Sequence, residues 1–306
     1  MNDADLLHEL TPKAEELLER HLKTTKEWFP HTLVPWERGA SLDVDADWDP
    51  RAFPLPDAVR SALFVNLLTE DNLPYYSAHI AGVLGRKQEA WKDWNHRWTA
   101  EEDRHAMVIR DYLTVSQAID PFELERARMH QMSTAVVPEP PTVAETFAYV
   151  ALQELATRIS HRNTGKILED PAGYNVMARV ATDENHHFLF YRDVMTALIE
   201  IDPSTGVIAL DRQVRDFQMP GTGIPNFKHH AYAIAKAGIY DLTAHHDQIL
   251  QPVVLRHYKI EELEGLSPEA DQARESLLTH VSRIGKAARR MAARQAEDAA
   301  ESPVPA

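Results

Sequence analysis

Apolar residues recur at every third or fourth position along most of the chain, which is the periodicity of an amphipathic helix. No segment shows the alternation and turn residues that are typical of a strand or hairpin. A first helix is predicted to begin at Thr11, with Pro12 in its first turn, and to end near Thr25. The Pro- and Asp-rich segment 28–56 predicts an irregular strap. The pattern as a whole predicts an all-α protein.

Four long helices are predicted after the strap, spanning 57–84, 88–117, 142–165 and 171–202. The first carries Glu70 and is expected to loosen there, because Pro74 has no N–H to donate to the Glu70 carbonyl. A Pro-containing connector separates the second helix from the third. Further helices outside the core are predicted at 226–249 and 267–294. We expect one domain over residues 1–295 and a disordered tail at 296–306.

Two Glu-x-x-His pairs, Glu102/His105 and Glu184/His187, lie on the second and fourth of these helices. Of the 16 histidines, only these two follow a Glu by three positions. Residues at i and i+3 project from the same face of a helix. Each pair can therefore offer one carboxylate and one imidazole to the same point. Asp93/His96 and Asp183/His186 have related spacing but fall off the apolar faces, so we expect both to point outward.

Glu70 and Glu154 lie on the other two long helices, 32 residues before Glu102 and 30 residues before Glu184. Antiparallel neighbours joined by a short loop bring such residues to the same height. Two Glu-x-x-His pairs and two further Glu residues are the ligands of the two-metal site in ferritin-like bundles. We therefore predict a ferritin-like four-helix bundle core with additional flanking helices. Four carboxylates and two imidazoles suit iron or manganese. The pattern alone does not distinguish storing metal from using it.

Composition narrows the chemistry further. The chain has no cysteine, which excludes disulfides and cysteine-ligated iron–sulfur clusters. A net charge of −15 argues against nucleic acid as a general partner. No apolar run is long enough to predict a membrane span, and the acidic start does not resemble a targeting segment, so we expect a cytoplasmic location. No Gly-x-Gly-x-x-Gly fingerprint is present, so electrons for a redox reaction must come from outside.

Several segments around these residues resemble the soluble acyl-acyl-carrier-protein desaturases, a ferritin-like di-iron family of plant plastids and actinobacteria. The matching stretches are TEDNLP (69–74), RWTAEEDRH (97–105), QELATRISHRNT (153–164), DENHH (183–187), IEIDP (199–203) and FQMPG (217–221). The resemblance extends to about residue 260 and is strongest to actinobacterial members. Asp103 and Ala106 depart from the family pattern, but neither departure removes a ligand.

The resemblance implies oxygen-dependent desaturation of a saturated acyl chain carried on acyl carrier protein. It implies two iron ions held by Glu70, Glu102, His105, Glu154, Glu184 and His187, with manganese an alternative occupant of the isolated protein. It also implies that Thr157 lies at the oxygen side of the metals and that Trp28 and Asp183 form an electron path. A ferredoxin with its reductase is the expected donor, and a homodimer is the expected assembly.

Acyl carrier protein is acidic, so its docking requires local positive charge on this acidic chain. Lys228 with His229 and His230 is one candidate, and Arg283, Lys286, Arg289 and Arg290 form another. The alternatives are a di-iron oxygenase acting on another substrate, an iron-storing ferritin-like protein, and a metal-binding relative without catalysis.

Overall fold

The computed structural model describes residues 1–40, 47–85, 89–221 and 223–301. Every regular element in these ranges is helical, which confirms the predicted all-α class. Short 3-10 turns lie at Pro30–Thr32, Trp36–Arg38 and Ile260–Glu262. The longer elements are α1 Asp3–Thr24, α2 Asp57–Glu70, α3 Leu73–Leu84, α4 Glu89–Ser116, α5 Pro121–Thr134, α6 Val143–Ile167, α7 Pro171–Ile201, α8 Pro203–Arg215, α9 Phe227–Lys236, α10 Leu242–His245 with a π-helical continuation His246–His257, and α11 Pro268–Glu301.

Helices α2, α4, α7 and α6 form the bundle, each packed against the next in that order and α6 closing back onto α2. Helix α1 packs on α7 and α4, α9 packs on α2, and α11 packs on α8. Two apolar clusters fill the bundle. One contains Trp91, Phe147 and Tyr191, and the other contains Leu63 and Val108. The predicted metal ligands belong to neither cluster.

The predicted helix 57–84 is two helices, because α2 ends at Glu70 and α3 begins at Leu73. The break lies where Pro74 leaves the Glu70 carbonyl without its i+4 donor. Asp71 closes α2 by donating its N–H to the Leu67 carbonyl at 3.0 Å. The expected loosening is therefore a full interruption of the helix directly after a predicted ligand.

Other predicted boundaries were wrong. Helix α1 begins at Asp3, not at Thr11, because the Asn2 side chain accepts the Asp5 N–H and caps the helix there. Pro12 lies inside this helix. The predicted connector contains α5, which is capped by Asp120, and α8 was not predicted. The predicted helix 226–249 is interrupted at Gly238, whose φ of 69° is left-handed. Helix α11 extends to Glu301, into the predicted tail, and residues 302–306 lie outside the described ranges.

Candidate metal centre

The bundle brings the six predicted ligands together in its interior, where none is more than 8% exposed. Their side-chain ligand atoms form two groups: Glu70, Glu102, His105 and Glu184 in one, and Glu102, Glu154, Glu184 and His187 in the other. Within each group the ligand atoms lie within 4.8 Å of one another. Glu102 and Glu184 belong to both groups, so their carboxylates lie where they could bridge two ions. Each group also has one Glu and one His of its own.

Both histidines turn the same ring nitrogen towards this cluster. His105 Nδ1 lies 3.5 Å from both Glu102 Oε2 and Glu184 Oε1, and His187 Nδ1 lies 2.7 Å from Glu102 Oε1. Both Nδ1 atoms are buried and face carboxylate oxygens of the cluster. Their shared direction fits a cation bound by both nitrogen atoms.

Two further carboxylates hold the opposite ring nitrogens in a crosswise arrangement. His187 Nε2 lies 3.0 Å from Glu101 Oε2, and His105 Nε2 lies 3.5 Å from Asp183 Oδ2. Glu101 is on α4 and contacts the histidine of α7, whereas Asp183 is on α7 and faces the histidine of α4 at the longer distance. The hydrogen bond to Glu101 favours the tautomer that presents His187 Nδ1 to a metal.

Glu101 was not among the predicted site residues. The sequence does contain a pattern that could have indicated Glu101. An acidic residue directly precedes the ligand Glu in both Glu-x-x-His pairs, as Glu101-Glu102 and as Asp183-Glu184. The expected outward orientation of Asp183 is wrong, because its side chain is buried at 2% exposure. His186 is half-buried beside His21, while Asp93 and His96 are exposed as expected.

A third imidazole, His161, is also buried beside the cluster and was not predicted. Its Nε2 lies 3.0 Å from Glu70 Oε1 and 3.5 Å from Glu184 Oε1. Burial lowers the pKa of His161, but hydrogen bonds to these two carboxylates outweigh burial and raise it to about 9. The protonated ring would therefore donate to Glu70 and hold its carboxylate.

The four glutamates differ in how readily they lose a proton. Burial and then the charge of Glu184 raise the pKa of Glu102, and they raise that of Glu154 more strongly. Burial also opposes ionisation of Glu184, but hydrogen bonds from His105 and His161 outweigh it and hold that pKa well below its ordinary value. In the metal-free cluster, proton loss is therefore harder for Glu102 and Glu154 than for Glu184.

Trp28 and Asp183, the predicted electron path, are in contact. The Trp28 indole N–H donates to Asp183 Oδ2 at 2.7 Å, and the same oxygen faces His105. The guanidinium carbons of Arg104 and Arg179 lie 4.8 and 5.5 Å from the centre of a Trp28 ring. A continuous series of contacts therefore runs from the strap to one predicted ligand.

Thr157 and a pocket lie on the carboxylate side of the cluster. Thr157 Oγ1 lies 3.0 Å from Glu184 Oε2 and 3.0 Å from its own helix carbonyl of Glu154, so the hydroxyl can donate to either. The pocket has a volume of about 580 Å³, which includes space open to solvent. Its lining residues are Thr69, Glu70, Tyr76, His79, Ile80, Trp98, Glu102, Pro138, Pro140, Thr146, Tyr149, Val150, Gln153, Glu154, Thr157, Glu184 and Pro220.

The predicted carrier-binding residues lie on surface helices. Lys228 is exposed on α9, and Arg283, Lys286, Arg289 and Arg290 are exposed on α11. None of these five residues lines the pocket. Within the described ranges, no helix combines the length and the apolar character that crossing a membrane requires.

Comparisons with known proteins agree with this arrangement. A family model described as fatty acid desaturase matches residues 2–304. The chain is 42% identical over 287 residues to DesA1 of Mycobacterium tuberculosis, which carries the name of an acyl-(acyl-carrier-protein) desaturase, covering 90% of this chain and 84% of that protein. It is 33% identical to the chloroplastic acyl-(acyl-carrier-protein) desaturase 7 of Oryza sativa, covering 89% of this chain and 72% of that protein. The X-ray structure of DesA2 from M. tuberculosis H37Rv, which its title calls an acyl-ACP desaturase, matches with a TM-score of 0.72 at 26% identity, covering 88% of this chain and 99% of that one.

Proposed function

Because the chain belongs to the fatty acid desaturase family, we propose that it uses oxygen to desaturate a saturated acyl chain carried on acyl carrier protein. The observation that carries this proposal is the pocket whose lining includes the four glutamates of the buried cluster but neither of its two histidines. An extended acyl chain in this pocket would have one pair of methylenes beside the cluster. Pocket walls fix such a chain by shape, since a saturated chain offers no polar group to bind.

We propose iron as the resident metal, with manganese as the alternative in isolated protein. Carboxylate oxygen and imidazole nitrogen are ligands that suit either ion. The residues fit a pair of ions, because two carboxylates are shared and both Nδ1 atoms face them. Glu70 and His105 would hold one ion, Glu154 and His187 the other, and Glu102 and Glu184 would contribute to both. When bound, a redox-active pair would supply oxygen activation and removal of two hydrogens from the chain.

The residues around the cluster would perform the remaining tasks. Tyr149, Val150 and Ile80 exclude water from the pocket and position the chain. The Thr157 hydroxyl lines the pocket and donates a hydrogen bond to Glu184. The same hydroxyl could instead donate to oxygen at the metal centre. Glu101 and Asp183 keep the two imidazoles in the tautomer that binds metal.

Electrons are proposed to enter from a ferredoxin and its reductase. Desaturation takes two hydrogens from the chain and reduces one oxygen molecule to two waters, so two further electrons and two protons must be supplied. The chain has no cysteine with which to hold an iron–sulfur cluster of its own. The contacts from Trp28 through Asp183 to His105 support an entry route through His105, which does not line the pocket.

The acidic carrier is proposed to dock through Lys228 or through the α11 cluster of Arg283, Lys286, Arg289 and Arg290. Support comes from their exposure and charge. Reversing the charge of the working cluster should weaken carrier binding without changing metal content. A cytoplasmic homodimer is the proposed working form, and it rests on the family resemblance alone. Light scattering after size-exclusion chromatography measures its mass.

The decisive experiment reconstitutes the purified protein anaerobically with ferrous iron. Reduced ferredoxin, oxygen and palmitoyl- or stearoyl-carrier protein are then added, and the acyl chains are analysed by mass spectrometry. A new double bond is expected from the intact protein and none from Glu154→Gln. Oxygen consumption with a hydroxylated product would instead support an oxygenase. Bound iron without an olefin from any acyl length would contradict the desaturase proposal.

A further inference from the structure

The break between α2 and α3 places two buried polar residues directly after the predicted ligand Glu70. Asp71 is 4% exposed and Asn72 is 1% exposed. A buried carboxylate without a paired cation is strongly destabilising. The break can therefore persist only if another part of the molecule supplies partners for both side chains.

Helix α5 supplies those partners from one face. Arg128 donates from Nε to Asp71 Oδ2 at 2.7 Å and from Nη2 to Asp71 Oδ1 at 2.8 Å, which is a bidentate pair. Almost one turn later, Gln131 Nε2 donates to Asn72 Oδ1 at 2.9 Å. Gln131 is itself 2% exposed, so this is an interior contact.

The next contact extends α5 across the break to α3. The Tyr75 hydroxyl donates to the Met132 carbonyl at 2.8 Å. Helix α5 thus contacts both connecting residues and the first turn of α3. We refer to Arg128, Gln131 and the Met132 carbonyl together as the splint. Asn72 also donates to the Tyr76 hydroxyl at 3.2 Å, and the Tyr76 side chain lines the pocket beside Glu70.

Glu70 differs from the other three glutamate ligands in its position on its helix. It is the last residue of α2, whereas Glu102, Glu154 and Glu184 lie in the middle of long continuous helices. A rotation of the Asp71–Asn72 link would therefore change the direction of the Glu70 side chain first.

We propose that Arg128 and Gln131 are positioning residues that hold the break so that the Glu70 carboxylate reaches its metal group. The inference rests on one part of the proposed function, namely that the cluster binds two metal ions. It does not depend on the desaturase activity. Glu70 belongs to the group with His105 and not to the group with Glu154 and His187. Loss of the splint should therefore weaken one ion site and leave the other nearly unchanged.

The test titrates the full-length, chelator-treated protein with Co²⁺, following visible absorption and bound cobalt by equilibrium dialysis. Arg128→Gln should bind the first ion like the unaltered protein and the second about 10- to 100-fold more weakly, the range typical of lost outer contacts to metal ligands. Arg128→Lys keeps the charge but not the bidentate geometry, so it should lie in between. Gln131→Leu should act in the same direction.

Two arginines provide matched controls. Arg126 is on the same helix and pairs with exposed Glu123, so Arg126→Gln should bind both ions normally. Arg212 pairs with the buried Glu145 at 2.9 Å, so Arg212→Gln tests whether any lost buried ion pair has the same effect. Thermal unfolding is measured on every variant.

Four results would overturn the proposal. Unchanged second-ion affinity in Arg128→Gln would show that the splint does not position Glu70. An equal loss in Arg212→Gln, or an equal loss of both ions in Arg128→Gln, would show a general loss of stability. Failure of the unaltered protein to bind two ions would overturn the proposed metal centre as well, so the two failures are distinguishable.

Discussion

Binding of two divalent ions to the metal-free protein is expected to release protons. The cluster is buried, and two unit charges 4.8 Å apart repel by about 3.5 kcal/mol at an effective dielectric constant of about 20. Burial and the charge of Glu184 raise the pKa of Glu102 and Glu154. Burial opposes protonation of His105 and His187, but neighbouring carboxylates outweigh it and raise both pKa values. Ligands must lose these protons before they coordinate a metal.

The size of the release follows from the same groups. The pKa of His187 is raised to about 10, and that of His105 lies well above its ordinary value, so both imidazoles should be charged near pH 7 without metal. The two imidazoles supply about two protons, and Glu102 and Glu154 can add up to about two more. We therefore expect about two to four protons to be released when two ions bind. The metal-bound state holds fewer protons, so binding strengthens as pH rises. The overall two-ion binding constant should change about 100- to 10,000-fold per pH unit near neutrality.

Titration calorimetry with Mn²⁺ at pH 6.5 to 7.5, in buffers of different ionisation enthalpy, counts the released protons. Glu154→Gln should reduce the count by about one. Asp103→Asn, a change at an exposed position on the same helix as Glu102, should leave it unaltered. A two-ion affinity that does not depend on pH, with no proton release in any buffer, would refute this account of the cluster.

Three further substitutions test single contacts. Glu101→Gln should cost about 10- to 100-fold in affinity for the ion bound by His187, measured by metal titration, because it weakens the acceptor of the Nε2 proton. Thr157→Val should leave two ions bound but lower the olefin formed per oxygen consumed, with Thr157→Ser restoring it, because the donor to Glu184 is lost. Trp28→Phe should slow turnover with the protein donor by about tenfold, while a single turnover of chemically reduced protein stays unchanged.

Local geometry explains why so much of the site was predictable from the sequence. The i, i+3 spacing of each Glu-x-x-His pair directs both side chains to one point on any regular helix, without knowledge of neighbouring helices. Pro74 similarly indicated a loosening after Glu70, since a missing N–H acts on its own helix. The full interruption into two helices was not predicted. The all-α class and the bundle helices followed from periodicity in the same way.

Contacts between helices were decided only by the tertiary structure. Glu101 and Asp183 hold histidines of opposite helices, and this crosswise exchange depends on how α4 and α7 face each other. The sequence by itself determined which residues could bind metal, because that choice depends on side-chain chemistry and helical spacing. Tertiary packing decided what holds those residues in place, because the supporting partners come from distant parts of the chain.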